Sequence, residues 1–167
     1  MSSRERLLEF IKAKAIVHGK VILSSGAEAD YYIDLRRITL DGEAAPLVGQ
    51  VMNELTTDLD FDAVGGLTLG ADPVATAMLH ASAAAGRRLD AFVVRKTGKA
   101  HGLQQRIEGP SIAGRRVLIV EDTTTTGAAP RVSPPTASKS RSLGSSFITW
   151  PTRGAASPSR VIRRRST

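Results

Sequence analysis

Apolar positions in the first half of the chain fall into two helical repeats with a hairpin between them. Ser2 and Glu5 have capping-box spacing, and Leu7, Leu8, Ile11 and Ala15 then recur on one face, predicting a short amphipathic helix that Gly19 stops. Val21–Leu23 and Tyr31–Ile33 read as short strands around Ser24-Ser25-Gly26. Leu47, Val48, Val51, Met52, Leu55 and Leu59 repeat at helical spacing, predicting a second helix of about four turns.

From Phe61 the pattern becomes regular. Phe61–Gly66 predicts a strand; a glycine-rich turn follows, then a helix capped by Asp72 with Pro73 in its first turn. Ala91–Val94 and Val117–Val120 predict further strands, separated by a long polar loop from Arg95 to about Ala113. Strands that are apolar throughout and alternate with helices indicate an α/β fold, a parallel sheet covered on both faces. Ligands of such sheets sit beyond the carboxyl ends of the strands.

Composition changes this picture at one place. Of the 167 residues, 41% are hydrophobic and 23% charged, the balance of a soluble globular chain. The absence of cysteine excludes disulfides, thiolate metal sites and a cysteine nucleophile. No apolar run could cross a bilayer and no signal peptide opens the chain, so the expected location is the cytoplasm, away from membranes. The net charge of +7 arises entirely late in the chain: residues 1–128 hold 15 Lys+Arg against 16 Asp+Glu, whereas residues 129–167 hold 8 Lys+Arg and no acid. The late segment also carries 9 serines and 5 of the 8 prolines, with no periodic apolar pattern.

The richest chemistry follows the strand Val117–Val120. Glu121 and Asp122 stand at its carboxyl end, and Thr123, Thr124, Thr125, Thr126 and Gly127 come next, where a helix would normally begin. Backbone N–H groups and hydroxyls of such a loop can wrap a phosphate, and the acids can hold sugar hydroxyls or a cation. A capped turn after a core strand would not need two acids followed by four threonines. The second cluster is Arg95-Lys96-Thr97-Gly98-Lys99-Ala100-His101-Gly102, cations on a glycine-punctuated loop that could close over a departing anion. By itself the run fits a solvated charged loop equally well. The third is Gly65-Gly66-Leu67-Thr68-Leu69-Gly70, a turn whose amides could meet pyrophosphate. His18 at a helix end and His80 among Met78 and Leu79 fit dipole and packing roles, and Arg36-Arg37 and Arg115-Arg116 read as solvated pairs.

Four apolar residues, two acids, two variable residues and Thr-Thr-Gly resemble the signature of the type I phosphoribosyltransferases, and the order Arg-Lys, Lys, His-Gly resembles the catalytic loop of the orotate-specific branch. The resemblance implies an α/β sheet flanked by helices, a phosphoribosyltransferase domain over residues 1–128 (a hood, 1–40, and a core, 41–128) and an atypical basic tail over 129–167. It implies Glu121 and Asp122 on the ribose hydroxyls of phosphoribosyl pyrophosphate, Thr123–Gly127 around its 5-phosphate with Thr125 also near orotate, and Arg95, Lys96, Lys99 and His101 on the pyrophosphate. Lys99, His101 and Asp122 carry the catalytic roles, Mg²⁺ is the cofactor, and the partner is a second copy that receives loop 95–102. Ser24 and Gly70 stand where lysine is common in the family. A phosphoribosyltransferase for another base, and a non-catalytic sensor of phosphoribosyl pyrophosphate that binds nucleic acid through its tail, are the alternatives; nucleic acid is otherwise not an expected partner.

The resemblance stops near residue 128. Ala129-Pro130 and Pro134-Pro135 would break the helix that should support the threonine loop, and the family's Asp-Arg pair for the orotate carboxylate is missing, Thr152 preceding Arg153. The expectation is a sheet without its last part, exposed apolar surface and poor activity. A switch to Arg, Ser and Pro without a single acid matches out-of-frame translation of a GC-rich gene. Sequencing the coding DNA should reveal, in a shifted frame after the Thr-Thr-Gly codons, an amphipathic helix, an apolar strand and an Asp-Arg pair; their absence from every frame would remove this explanation.

Overall fold

A computed structural model describes residues 1–22, 28–96, 106–122, 146–148 and 161–163. Ser3–Phe10 forms α1, opened by the expected capping box: Ser2 Oγ accepts from the Glu5 amide at 3.2 Å, and the Ser2 amide donates to the Glu5 carboxylate at 2.7 Å. The helix does not continue to Gly19. One π-helical turn, Ile11–Ala15, ends it, and Ile16–Ile22 is already strand β1. Gly19 instead has φ +145° inside β1, where the register with Glu28–Ile33 (β2) shifts between His18 and Val21. It supplies an irregular strand step, not a helix stop. His18 correspondingly pairs with Tyr31 across the hairpin and is not at a helix end. The expected Ser24-Ser25-Gly26 turn lies outside the described residues.

A short helix, Arg36–Thr39 (α2), leads to Ala44–Leu55 (α3). Leu47, Val48, Val51 and Met52 are buried as their spacing requires. The helix ends one turn before Leu59, because the buried Thr56 hydroxyl donates to the Met52 carbonyl at 2.8 Å, bonding back onto the chain at the helix end. Ala63–Leu67 (β3) precedes Ala71–Ala84 (α4). Asp72 is not its cap; Gly70 occupies that position, and Asp72 instead accepts from the Thr68 hydroxyl at 2.5 Å. His80 is exposed on α4, so the packing role expected for it does not hold.

Asp90–Val94 (β4) and Val117–Val120 (β6) flank β3 in parallel. The connection between them is not all loop: Ile107–Glu108 (β5) pairs antiparallel with Val93 and Val94. Beyond β6, where an unfinished sheet was expected, Ser146–Ile148 (β7) pairs parallel with β6 and Val161–Arg163 (β8) pairs antiparallel with β7. The six strands run β5-β4-β3-β6-β7-β8. The tail expected to leave the sheet short therefore extends it by two strands.

Strand alternation gives the sheet two apolar faces. Val64, Leu118 and Val120 join Leu7, Leu47, Val51, Val74 and Met78 in the larger core beneath α1, α3 and α4. Ala63, Phe92, Val94 and Ile119 form a second cluster, covered by Ile107 and Ile112. Among the described residues no helix is long and apolar enough to cross a membrane.

At the amino ends of the strands the expected solvated pair Arg115-Arg116 is a clamp. Arg115 binds Asp90 at 2.6 Å and the Asp62 carbonyl at 2.7 Å, while Arg116 binds Asp62 at 3.1 Å and also Asp60, tying the starts of β3, β4 and β6 together. Helix α3 packs on α4 at Gly49, where a Cβ would strike the Ala77 backbone carbonyl and lie 3.1 Å from Ala81 Cβ. Gly49→Val should force these helices apart and destabilise the fold by about 1–3 kcal/mol, read as a lower urea midpoint; an unchanged midpoint would mean that the crossing can relax.

Candidate active site

All parallel strands present their carboxyl ends on one side, and there Glu121, Asp122 and Lys96 converge with the β3–α4 turn and the end of β2. Tyr32–Arg36, Leu67–Gly70, Lys96, Glu121 and Asp122 line a cleft of about 430 Å³. The acids owe their place to β6: Leu118, Ile119 and Val120 are buried, and the first residues past them emerge at the rim. The opposing turn comes close because it carries no side chain at the critical point. A Cβ on Gly70 would strike the Asp122 and Glu121 carboxylates, and one on Gly66 would strike the Val120 carbonyl. Glycine at position 70, where lysine is common in the family, thus belongs to the packing of this site.

The two acids differ electrostatically. Burial first, then the charge of Asp122 and a hydrogen bond to it, push the Glu121 carboxyl up to about 7, against a smaller opposing pull from Lys96. Near neutral pH the Glu121 carboxyl is therefore about half protonated. Opposite them, Arg36 Nε donates to Asp34 at 3.0 Å. That bond and the Asp34 charge hold the guanidinium above its ordinary range, with smaller contributions from Asp122 and Tyr32.

The sequence-derived candidates separate. Glu121, Asp122 and Lys96 meet in the cleft. Arg95 is not in its lining; the side chain lies 3.5 Å from Glu108, and its amide donates to the Arg106 carbonyl at 2.8 Å. Lys99, His101, Thr123, Thr124, Thr125, Thr126 and Gly127 lie outside the described residues, as does Arg153. From strand β2, Tyr32 lines the cleft, and Tyr31, on the other face of the strand, does not. The sequence reading passed over Asp34 and took Arg36 as half of a solvated pair; Arg36 instead lines the cleft and is bonded to Asp34. Their only sequence signal is an acid and a base two residues apart directly after a strand.

The raised Glu121 value has a consequence for stability. The folded protein keeps this proton up to about 7, whereas an unperturbed carboxyl releases it near 4.5. The native state therefore binds more protons between those values, and its stability should fall as pH rises through that window. Glu121→Gln should flatten this decline in urea midpoints measured across the window; an identical slope would show that Glu121 titrates normally.

No protein-family model matches the chain. Among curated proteins, the orotate phosphoribosyltransferase of Streptomyces avermitilis is 79% identical over 127 residues, 76% of this chain and 70% of that protein. The Corynebacterium glutamicum enzyme of the same name is 61% identical over 130 residues, 78% and 69% of the two chains. Among solved structures, Mycobacterium tuberculosis orotate phosphoribosyltransferase in complex with Fe(III) dicitrate superposes with a TM-score of 0.67 at 58% identity, covering 77% of this chain and 71% of that one. The same enzyme in complex with 5-phospho-α-D-ribosyl 1-diphosphate gives 0.63 at 52% identity, covering 77% and 69%. With identity this high across more than two thirds of its relatives' length, and an α/β sheet that superposes on theirs, the chain belongs to the orotate phosphoribosyltransferase family.

Proposed function

We propose that this chain transfers the phosphoribosyl group of phosphoribosyl pyrophosphate to orotate, forming orotidine 5′-phosphate and pyrophosphate for pyrimidine nucleotide synthesis. The observation that carries the reading is the acid pair at the end of β6 facing the glycine turn across the cleft, with Lys96 in the same lining. The bond from the anomeric carbon to pyrophosphate breaks, the bond from that carbon to the ring nitrogen forms, and the nitrogen's proton leaves. Positive charge develops on the sugar and negative charge on the leaving group.

Each group has a part in that charge separation. Asp122 and Glu121 hold the ribose hydroxyls and orient the anomeric carbon. The amides of the β3–α4 turn and Lys96 meet the pyrophosphate, with Lys99 and His101 supplied by loop 95–102 of a second subunit and Arg95 at the base of that loop. Thr123–Gly127 cradle the 5-phosphate. Among the described residues no group of three or more acids or histidines could cage a metal ion. Two carboxylates in an open cleft fit Mg²⁺, which keeps several waters and binds through one or two carboxylates together with substrate phosphates. When bound, the ion neutralises pyrophosphate charge.

The test is orotate depletion, followed by absorbance, with purified chain, phosphoribosyl pyrophosphate and Mg²⁺, beside a calorimetric titration of phosphoribosyl pyrophosphate. Orotate consumption dependent on both partners is expected; a folded chain that binds phosphoribosyl pyrophosphate but consumes no orotate would refute the assignment. Asp122→Asn, which halves the acceptor capacity of that side chain, should weaken phosphoribosyl pyrophosphate binding about ten- to hundredfold. Unchanged affinity would remove Asp122 from the ribose site.

A further inference from the structure

The cleft has an electrostatic asymmetry that its ribose and pyrophosphate contacts do not use. Glu121 and Asp122 make one side anionic, the third lining acid, Asp34, is paired with Arg36, and the only cations among the described lining residues are Lys96 and Arg36. Lys96 follows β4, next to the turn, whereas Arg36 follows β2, beside Tyr32. Arg36 is also held in a particular way. Asp34, largely buried at 16% exposure, accepts from Arg36 Nε at 3.0 Å and from its backbone amide at 3.3 Å, which fixes the plane of the guanidinium. Its two Nη groups have no hydrogen-bond partner among the described residues, and the side chain is 54% exposed in a concave site.

Nε anchored and a free fork in a cleft is an arrangement for receiving a planar anion with two oxygens. Orotate has such a group, a carboxylate on a planar ring, and near Asp122 that carboxylate would be repelled. We propose that Arg36, steered by Asp34, binds the carboxylate of the acceptor base and so selects anionic over neutral pyrimidines. This rests on the function proposed above. Asp34 is then a positioning residue.

Orotidine 5′-phosphate and uridine 5′-phosphate differ only in that carboxylate, and neither reacts without pyrophosphate, so their affinities isolate the contact. Both would be titrated calorimetrically into the wild-type chain, Arg36→Gln and Arg37→Gln. Arg37 is the matched control: it has nearly the same exposure, 55%, and lies 4.0 Å from the same aspartate, yet does not line the cleft. Arg36→Gln should bind orotidine 5′-phosphate about ten- to hundredfold more weakly, with uridine 5′-phosphate unchanged. Arg37→Gln should alter neither. Unchanged uridine 5′-phosphate binding also reports that the variant is folded. Equal losses for both nucleotides, no loss for either, or a matching effect of Arg37→Gln would overturn the proposal. A wild-type chain that binds neither nucleotide would instead overturn the function on which it rests.

Discussion

The site depends on how near two backbones can come. β3 and β6 are neighbours in the sheet, and the turn after β3 must fold back across the end of β6 to close one side of the cleft. At Gly66 and Gly70 the space a Cβ would need is taken by the Val120 carbonyl and by the acid pair itself. Side chains there would move the turn away from the acids and open the cleft. The helix crossing at Gly49 applies the same constraint one layer below, where α3 and α4 cover the sheet.

Legibility of the sequence followed how strongly each segment is determined by local pattern. β6 matched at both ends because four apolar residues bounded by arginines and acids permit one register, and the acid pair came with it. The first helix was read too long because the π-helical turn keeps Ile11 and Ala15 on the buried face, so hydrophobic periodicity continues past the point where α-helical bonding stops. β5 was missed because two residues in a polar stretch carry no periodicity; it forms only because Val93 and Val94 offer an edge. Asp34 was missed and Arg36 was read as a solvated residue for a related reason, since their importance lies in what the fold sets opposite them.

Charge is divided between the two ends of the sheet. At the amino ends Arg115 and Arg116 are matched by Asp62, Asp90 and Asp60, which satisfies both guanidiniums within the fold. At the carboxyl ends Arg36 keeps its Nη donors open among the described residues, and the acids crowd each other. The end whose charges are satisfied holds the strands together, and the end whose charges are strained faces the cleft.

The proton that burial keeps on Glu121 toward neutral pH gives the site a hydrogen-bonding polarity that two ionised carboxylates would lack. A carboxylate can only accept, whereas a protonated carboxyl can also donate. Vicinal hydroxyls are themselves donors and acceptors, so a pair with one proton can meet them with either sense of O–H orientation. A doubly ionised pair would require both hydroxyls to point their hydrogens inward. Burial of Glu121 therefore sets the direction in which hydrogen bonds across the cleft can run.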